Sequence, residues 1–260
     1  MTTSPHNYGN AVNSSVVTRV LRAGKTQPAC RFRRYSVIGM YTDSDPEDFV
    51  RHVAILREDI DLQEPTEVGV YHMGPPLVAG EKSAAERFAK PTCRADIASD
   101  VALDTEEREA IDDWLAQVEK QNRDGVKPFQ QYVVHPHFKW VRSPETGRRI
   151  RCRFSCAGFV IECYRAADIL LLDTDAELPE VDERTLRAAY PDLARLENRE
   201  PPIKDRFGFK NREDLGIAGN GPWRVILAGY LFHSLKRATA DNKRPEAYVP
   251  KSATEGCFSG

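Results

Sequence analysis

A chain of 260 residues that is 41% apolar and 29% charged can withdraw roughly 70–75% of its unfolded surface from water, enough for one domain with elaborations. Its 37 Lys and Arg against 39 Asp and Glu leave a net charge of −2, so there is no global basic field and no strong nucleic-acid signal. No apolar run nears the ~20 residues of a membrane span, the first residues lack a signal-peptide layout, and six scattered cysteines fit reduced thiols; the expectation is a cytoplasmic protein, or a delivered effector without a cleaved signal, with no transmembrane segment.

Residues 1–28 are polar, with one short apolar patch, and read as a flexible or docked arm. Tyr35 to Tyr41, rich in Val, Ile and Tyr and closed by Thr42-Asp43-Ser44-Asp45, predicts a strand. The next stretch supports two assignments. His52 to Leu56 is a short apolar run suited to a buried strand, while Asp45-Pro46 is a helix start and Phe49, Val53, Leu56 and Ile60 share a helical face. Glu67 to Met73 alternates as a strand ending at Gly74-Pro75-Pro76, which puts His72 at a strand end beside a turn. Asp104 and Glu107 form a capping box ahead of the apolar face Ala110, Ile111, Trp114, Leu115 and Val118.

Gln131 to Val141 and Arg149 to Phe154 predict two strands joined by the polar turn 143–147, with Pro136 marking an edge or bulge. From Ser155 the period changes to helix, Phe159, Val160, Cys163, Ala167, Leu170 and Leu171 taking one face. A helix from about Asp182 to Leu196 and another opened by Pro222 follow. The fold class expected is α+β: a small antiparallel sheet packed against a Cys-bearing helix in residues 29–175, with a helical C-terminal extension and tail in 176–260.

The order strand, sharp transition, Cys156, helix is the main chemical signal. A helix N-terminus and a nearby imidazole lower a thiol's pKa and make it nucleophilic, and first-turn N–H groups can receive an oxyanion. Small Ala157 and Gly158 are expected to leave the sulfur approachable. The alternative is a buried structural thiol, as expected for Cys163. A rival set is His135, His137, Cys152 and Cys156, Cys and His ligands of the kinds zinc takes but with irregular spacing; the expectation is no bound metal and no cofactor. His233, inside a helical pattern, reads as an ordinary helix residue. Arg149, Arg151 and Arg153 alternate onto one strand face and can meet an anionic substrate or remain wet, and the acidic run from Asp173 to Glu183 reads as a solvated surface or docking patch.

The run Arg153-Phe154-Ser155-Cys156-Ala157-Gly158-Phe159-Val160 resembles the cysteine-helix motif of the papain-like NlpC superfamily. It also resembles, more loosely, that of the circularly permuted, lecithin:retinol acyltransferase-like branch. Two upstream segments echo the permuted order, in which histidines precede the cysteine: Arg51-His52-Val53-Ala54-Ile55-Leu56 and Val70-Tyr71-His72-Met73-Gly74-Pro75-Pro76. The resemblance covers about a dozen residues in three patches. It implies Cys156 as nucleophile, His52 as general base and His72 as the residue orienting it, in a cysteine hydrolase or acyl transferase acting on a peptide, amide or ester through a covalent acyl-enzyme. If 45–62 is helical, His72 becomes the better base. Ser155, Ala157 and Gly158 depart from the acyltransferase-like pattern around the cysteine. The second class considered is a non-enzymatic interaction domain. Neither substrate identity nor oligomeric state is fixed by these residues.

Overall fold

The computed structural model describes residues 31–32, 34–42, 49–61, 67–74, 77–84, 93–99, 102–123, 126–191, 193, 209, 211–235 and 246–257; the N-terminal arm expected over 1–28 lies outside them. Among the described residues nine strands are formed: β1 (Arg31–Phe32), β2 (Val37–Thr42), β3 (His52–Leu56), β4 (Ile60–Asp61), β5 (Glu67–Met73), β6 (Leu77–Ala84), β7 (Cys93–Ser99), β8 (Phe138–Arg142) and β9 (Arg149–Phe154). The helices are α1 (Thr105–Arg123), α2 (Cys156–Arg165), α3 (Glu183–Ala189) and α4 (Ala228–Leu235). The class is α+β. A five-stranded antiparallel sheet runs in the order β6-β5-β3-β2-β7, β1 pairs with β4, and β8 with β9 forms a separate hairpin.

The ambiguous stretch is a strand. β3 pairs with β2 on one side, from Met40↔His52 to Val37↔Ile55, and with β5 on the other, from Ala54↔His72 to Leu56↔Val70. Val53, Ala54, Ile55 and Leu56 are all buried. A helix would have exposed part of that run; a central strand hides both faces and uses every backbone donor.

α2 packs on β3 and β5, α1 on α2 and β9, and α4 on β2 and β7. Gly39 in β2 makes the last contact possible, because a Cβ there would lie 1.8 Å from Cζ of Phe232. One cluster of buried side chains extends from Tyr35 through Val53, Ile111, Cys156 and Leu186 to Leu235, so the core crosses residue 175 without a break.

Hydrogen bonds, some local and some from distant segments, account for several boundaries. The capping box closes in both directions, Asp104 N–H donating to Glu107 Oε2 at 2.8 Å and Glu107 N–H to Asp104 Oδ1 at 2.9 Å. The strand expected from Gln131 begins only at Phe138, because the N–H groups of Val134 and His135 both go to the Leu215 carbonyl and that of Val133 to Phe154. The helix expected from Pro222 begins at Ala228, since Trp223 exchanges two backbone bonds with Val181 in an extended bridge. α2 stops at Arg165, before Leu170: Asp168, at φ 56°, donates its N–H to Arg165 and Ile169 donates to Tyr164, a Schellman closure.

Candidate functional site

The strand-to-helix turn places Cys156 as the first residue of α2. Ser155 caps the helix, its Oγ accepting the Gly158 N–H at 2.9 Å, and its own N–H donates to the His137 carbonyl at 2.9 Å. That carbonyl lies so close that a Cβ on Gly158 would come within 1.9 Å of it. The small residues after the cysteine therefore make room for the chain's own backbone and not for an incoming group. Cys156 is only 1% exposed, which corrects the expectation of an approachable sulfur.

Electrostatics follow from that burial. Removal from water pushes the Cys156 thiol up to about 11, and this outweighs the backbone N–H groups of Val53, Ala157 and Cys156 itself, each of which draws it down. Helix-terminal donors are thus present at the sulfur, with a third supplied from β3, but the thiol is protonated at neutral pH. Two phenols belong to the same neighbourhood. Tyr132 and Tyr190 are raised well above the usual tyrosine range, first by burial and then by the charge Cys156 would carry. The Tyr190 hydroxyl donates to the Ile226 carbonyl at 2.8 Å. No sequence pattern pointed to either tyrosine, because each comes from a segment distant from Cys156 in the chain.

His52 and His72 do come together. His52 Nε2 and His72 Nδ1 are 3.0 Å apart, with ring centroids at 5.0 Å and planes at 88°. Burial lowers both, His52 well below the usual imidazole range and His72 to about 4, the charge of His72 adding to the shift of His52. At neutral pH the pair is uncharged, one ring donating to the other.

Register explains what is not joined. Ala54 lies opposite His72, and His52 stands two residues before Ala54, so both imidazoles rise from one sheet face. The core shared with α2 takes in Val53, Ile55 and Met73, the alternate residues, which point to the other face. The Val53 N–H is one of the groups that draw the Cys156 thiol down, while the ring of the preceding His52 rises from the other face. Among the described residues no hydrogen bond links the Cys156 sulfur to an imidazole.

The rival metal set is dispersed. Cys152 faces Gln121 Oε1 at 3.8 Å, His137 Nε2 lies 3.4 Å from Glu162 Oε1, and His135 is exposed. Among the described residues no group of three or more His, Cys, Asp or Glu side chains is arranged to hold a metal ion. His233 lies 3.3 Å from the Cys257 carbonyl and stacks on Tyr248. The acidic run is partly neutralised from within: Arg224 pairs with Glu177 and Glu180, and Arg187 and Arg212 with Glu183. Arg153 is not a wet strand residue either, its guanidinium donating to the carbonyls of Tyr132 and Asp214, both at 2.6 Å.

No described helix is long and apolar enough to cross a membrane. No family model matches the chain, and neither the curated proteins nor the solved structures contain a significant match.

Proposed function

We propose that this protein is a cysteine-dependent hydrolase or acyl transferase acting in the cytoplasm on an amide or ester, with a papain-like sheet-and-helix core. The observation that carries the reading is the packing of α2 on β3: backbone N–H groups of Val53 and of the first turn of α2 draw the Cys156 thiol down against the effect of burial, beside a strand that carries His52 bonded to His72. In the reaction Cys156 Sγ bonds to the carbonyl carbon as its proton passes to His52. Collapse breaks the C–N or C–O bond, the proton leaves with the amine or alcohol, and water or another acceptor cleaves the thioester. His72 holds the His52 ring. These steps ask for a rearrangement at the end of β3, because among the described residues the resting sulfur has no imidazole partner.

A second reading is favoured by a different observation: the thiol is buried and raised to about 11 while the imidazoles occupy the opposite sheet face. A papain-like domain whose cysteine is structural, acting by binding, fits that arrangement. A p-nitrophenyl ester series separates the two. The enzyme reading expects a burst of nitrophenolate and an acyl adduct on Cys156, absent in Cys156→Ser, about 100-fold slower in His52→Ala and less affected in His72→Ala. No adduct at Cys156, or an adduct formed equally fast in both histidine variants, leaves the structural reading standing.

A further inference from the structure

The β8–β9 hairpin holds a concentration of cations that the thiol site does not use. Residues 138–154 contain Lys139, Arg142, Arg148, Arg149, Arg151 and Arg153 against the single carboxylate Glu145, a balance of +5 in a chain whose total is −2, so the remainder carries −7. Elsewhere Arg34, Arg165, Arg187, Arg212 and Arg224 each pair with a carboxylate. Among the described residues Lys139, Arg142, Arg148, Arg149 and Arg151 have no such partner. The register sets like charges directly across the ladder, Arg142 opposite Arg149 and Lys139 opposite Arg153, an arrangement that destabilises a hairpin on its own.

Beside these cations stand apolar groups. Ile150 is 44% exposed, one of three large hydrophobic side chains in that condition among the described residues, and it is the residue left without a ladder partner where the register shifts between Val141↔Arg151 and Arg142↔Arg149, so strict alternation does not separate it from Arg149. The Arg149 guanidinium sits 5.1 Å above the ring of the half-buried Trp140. The inner end of the hairpin is anchored by Phe138 and Phe154, whose rings stack at 5.4 Å, so the distal end is presented from a fixed base.

We infer that the tip of the β8–β9 hairpin docks the protein onto an anionic lipid surface, the exposed Arg142, Arg148 and Arg149 meeting headgroup phosphates and carboxylates while Ile150 enters the headgroup–acyl boundary. Juxtaposed cations and an exposed apolar side chain are what such a boundary rewards. The −7 carried by the rest of the chain turns it away from the surface and orients the hairpin toward it. A nucleic acid would use the cations but leaves Ile150 without a role, and the Trp140 face offered for base stacking is already covered by Arg149.

Co-sedimentation of the full chain with vesicles tests this. Binding is expected on phosphatidylcholine mixed with phosphatidylserine and not on phosphatidylcholine alone. It should weaken at least about tenfold in Arg148→Glu/Arg149→Glu and fall as salt rises from ~0.1 to ~0.5 M. Lys127→Glu/Lys251→Glu makes the same change of charge elsewhere and should bind as the parent does. Ile150→Ser should lower affinity and keep the salt response. Both arginines are exposed, and the carboxylate introduced by Arg149→Glu would face Arg142 across the ladder, so the double variant should retain its unfolding midpoint. Equal binding to neutral vesicles, an unaffected double variant, or an oligonucleotide bound in place of vesicles with loss in the same variant overturns the inference.

Discussion

Alkylation of Cys156 across pH discriminates sharply between the two readings of the site. With the thiol at about 11, the thiolate fraction at pH 7 is about one part in 10⁴, against a few per cent for an unperturbed thiol near 8.5. Since the thiolate is the attacking form, Cys156 should alkylate on the order of 100-fold more slowly than a free cysteine from ionisation alone, and burial at 1% exposure slows it further. Cys257, of intermediate exposure, is the internal reference. Competitive labelling with light and heavy iodoacetamide from pH 6 to 11, followed by peptide mapping, gives the rate at each thiol. The expected Cys156 profile is flat and low through pH 8 and climbs toward pH 11. A Cys156 that outruns Cys257 at pH 7 refutes the expectation from burial and shows that the sulfur is reached in a populated open state. Loss of that advantage in His52→Ala would then name the base.

Gly158→Ala places a Cβ 1.9 Å from the His137 carbonyl oxygen, so α2 or the 137 backbone must shift; a loss of about 2–4 kcal/mol is expected, read as a lower urea midpoint, and an unchanged midpoint contradicts that packing. Asp104→Ala removes one bond of the capping box and should cost about 1 kcal/mol in the same urea titration. His72 is lowered on folding to about 4, so its contribution is complete above pH 6.5 and is lost as pH falls from 6.5 through about 4, where the unfolded chain binds a proton the native one refuses; His52 is lowered in the same direction, so His72→Gln should reduce the slope in that window without abolishing it. Glu183, held at about 2 by Arg212 and Arg187 from an ordinary 4.5, contributes above pH 4.5 and loses its contribution between 4.5 and 2. Its 40% exposure limits the size, and Glu183→Gln should reduce the slope between 4.5 and 2, Asp182 being lowered in the same direction, and leave the slope between 6.5 and 4.5 unchanged.

Several elements were determined by residues within a few positions of one another. The Asp104–Glu107 box, the alternation of Glu67 to Met73, the strand Arg149–Phe154 and the change of period at Ser155 all stand where the sequence places them, because capping and side-chain periodicity act over one or two turns of chain. Other features required distant partners. His52–Leu56 became a strand because β2 and β5 lie on either side of it, and a five-residue apolar run fits either period until those neighbours exist. Trp223 is extended because Val181 meets it; the end of α2, by contrast, is closed locally, but by Asp168 in the left-handed region where Gly is the usual marker. The site shows the same division. The residues alone left His52 on either a helix or a strand, and the grouping of His52, His72 and Cys156 was an expectation drawn from the family resemblance. The tertiary structure alone decided that two imidazoles bond on one sheet face while the thiol is sealed on the other, since the alternation of a strand fixes which side chains share a face and only packing chooses the face the helix covers.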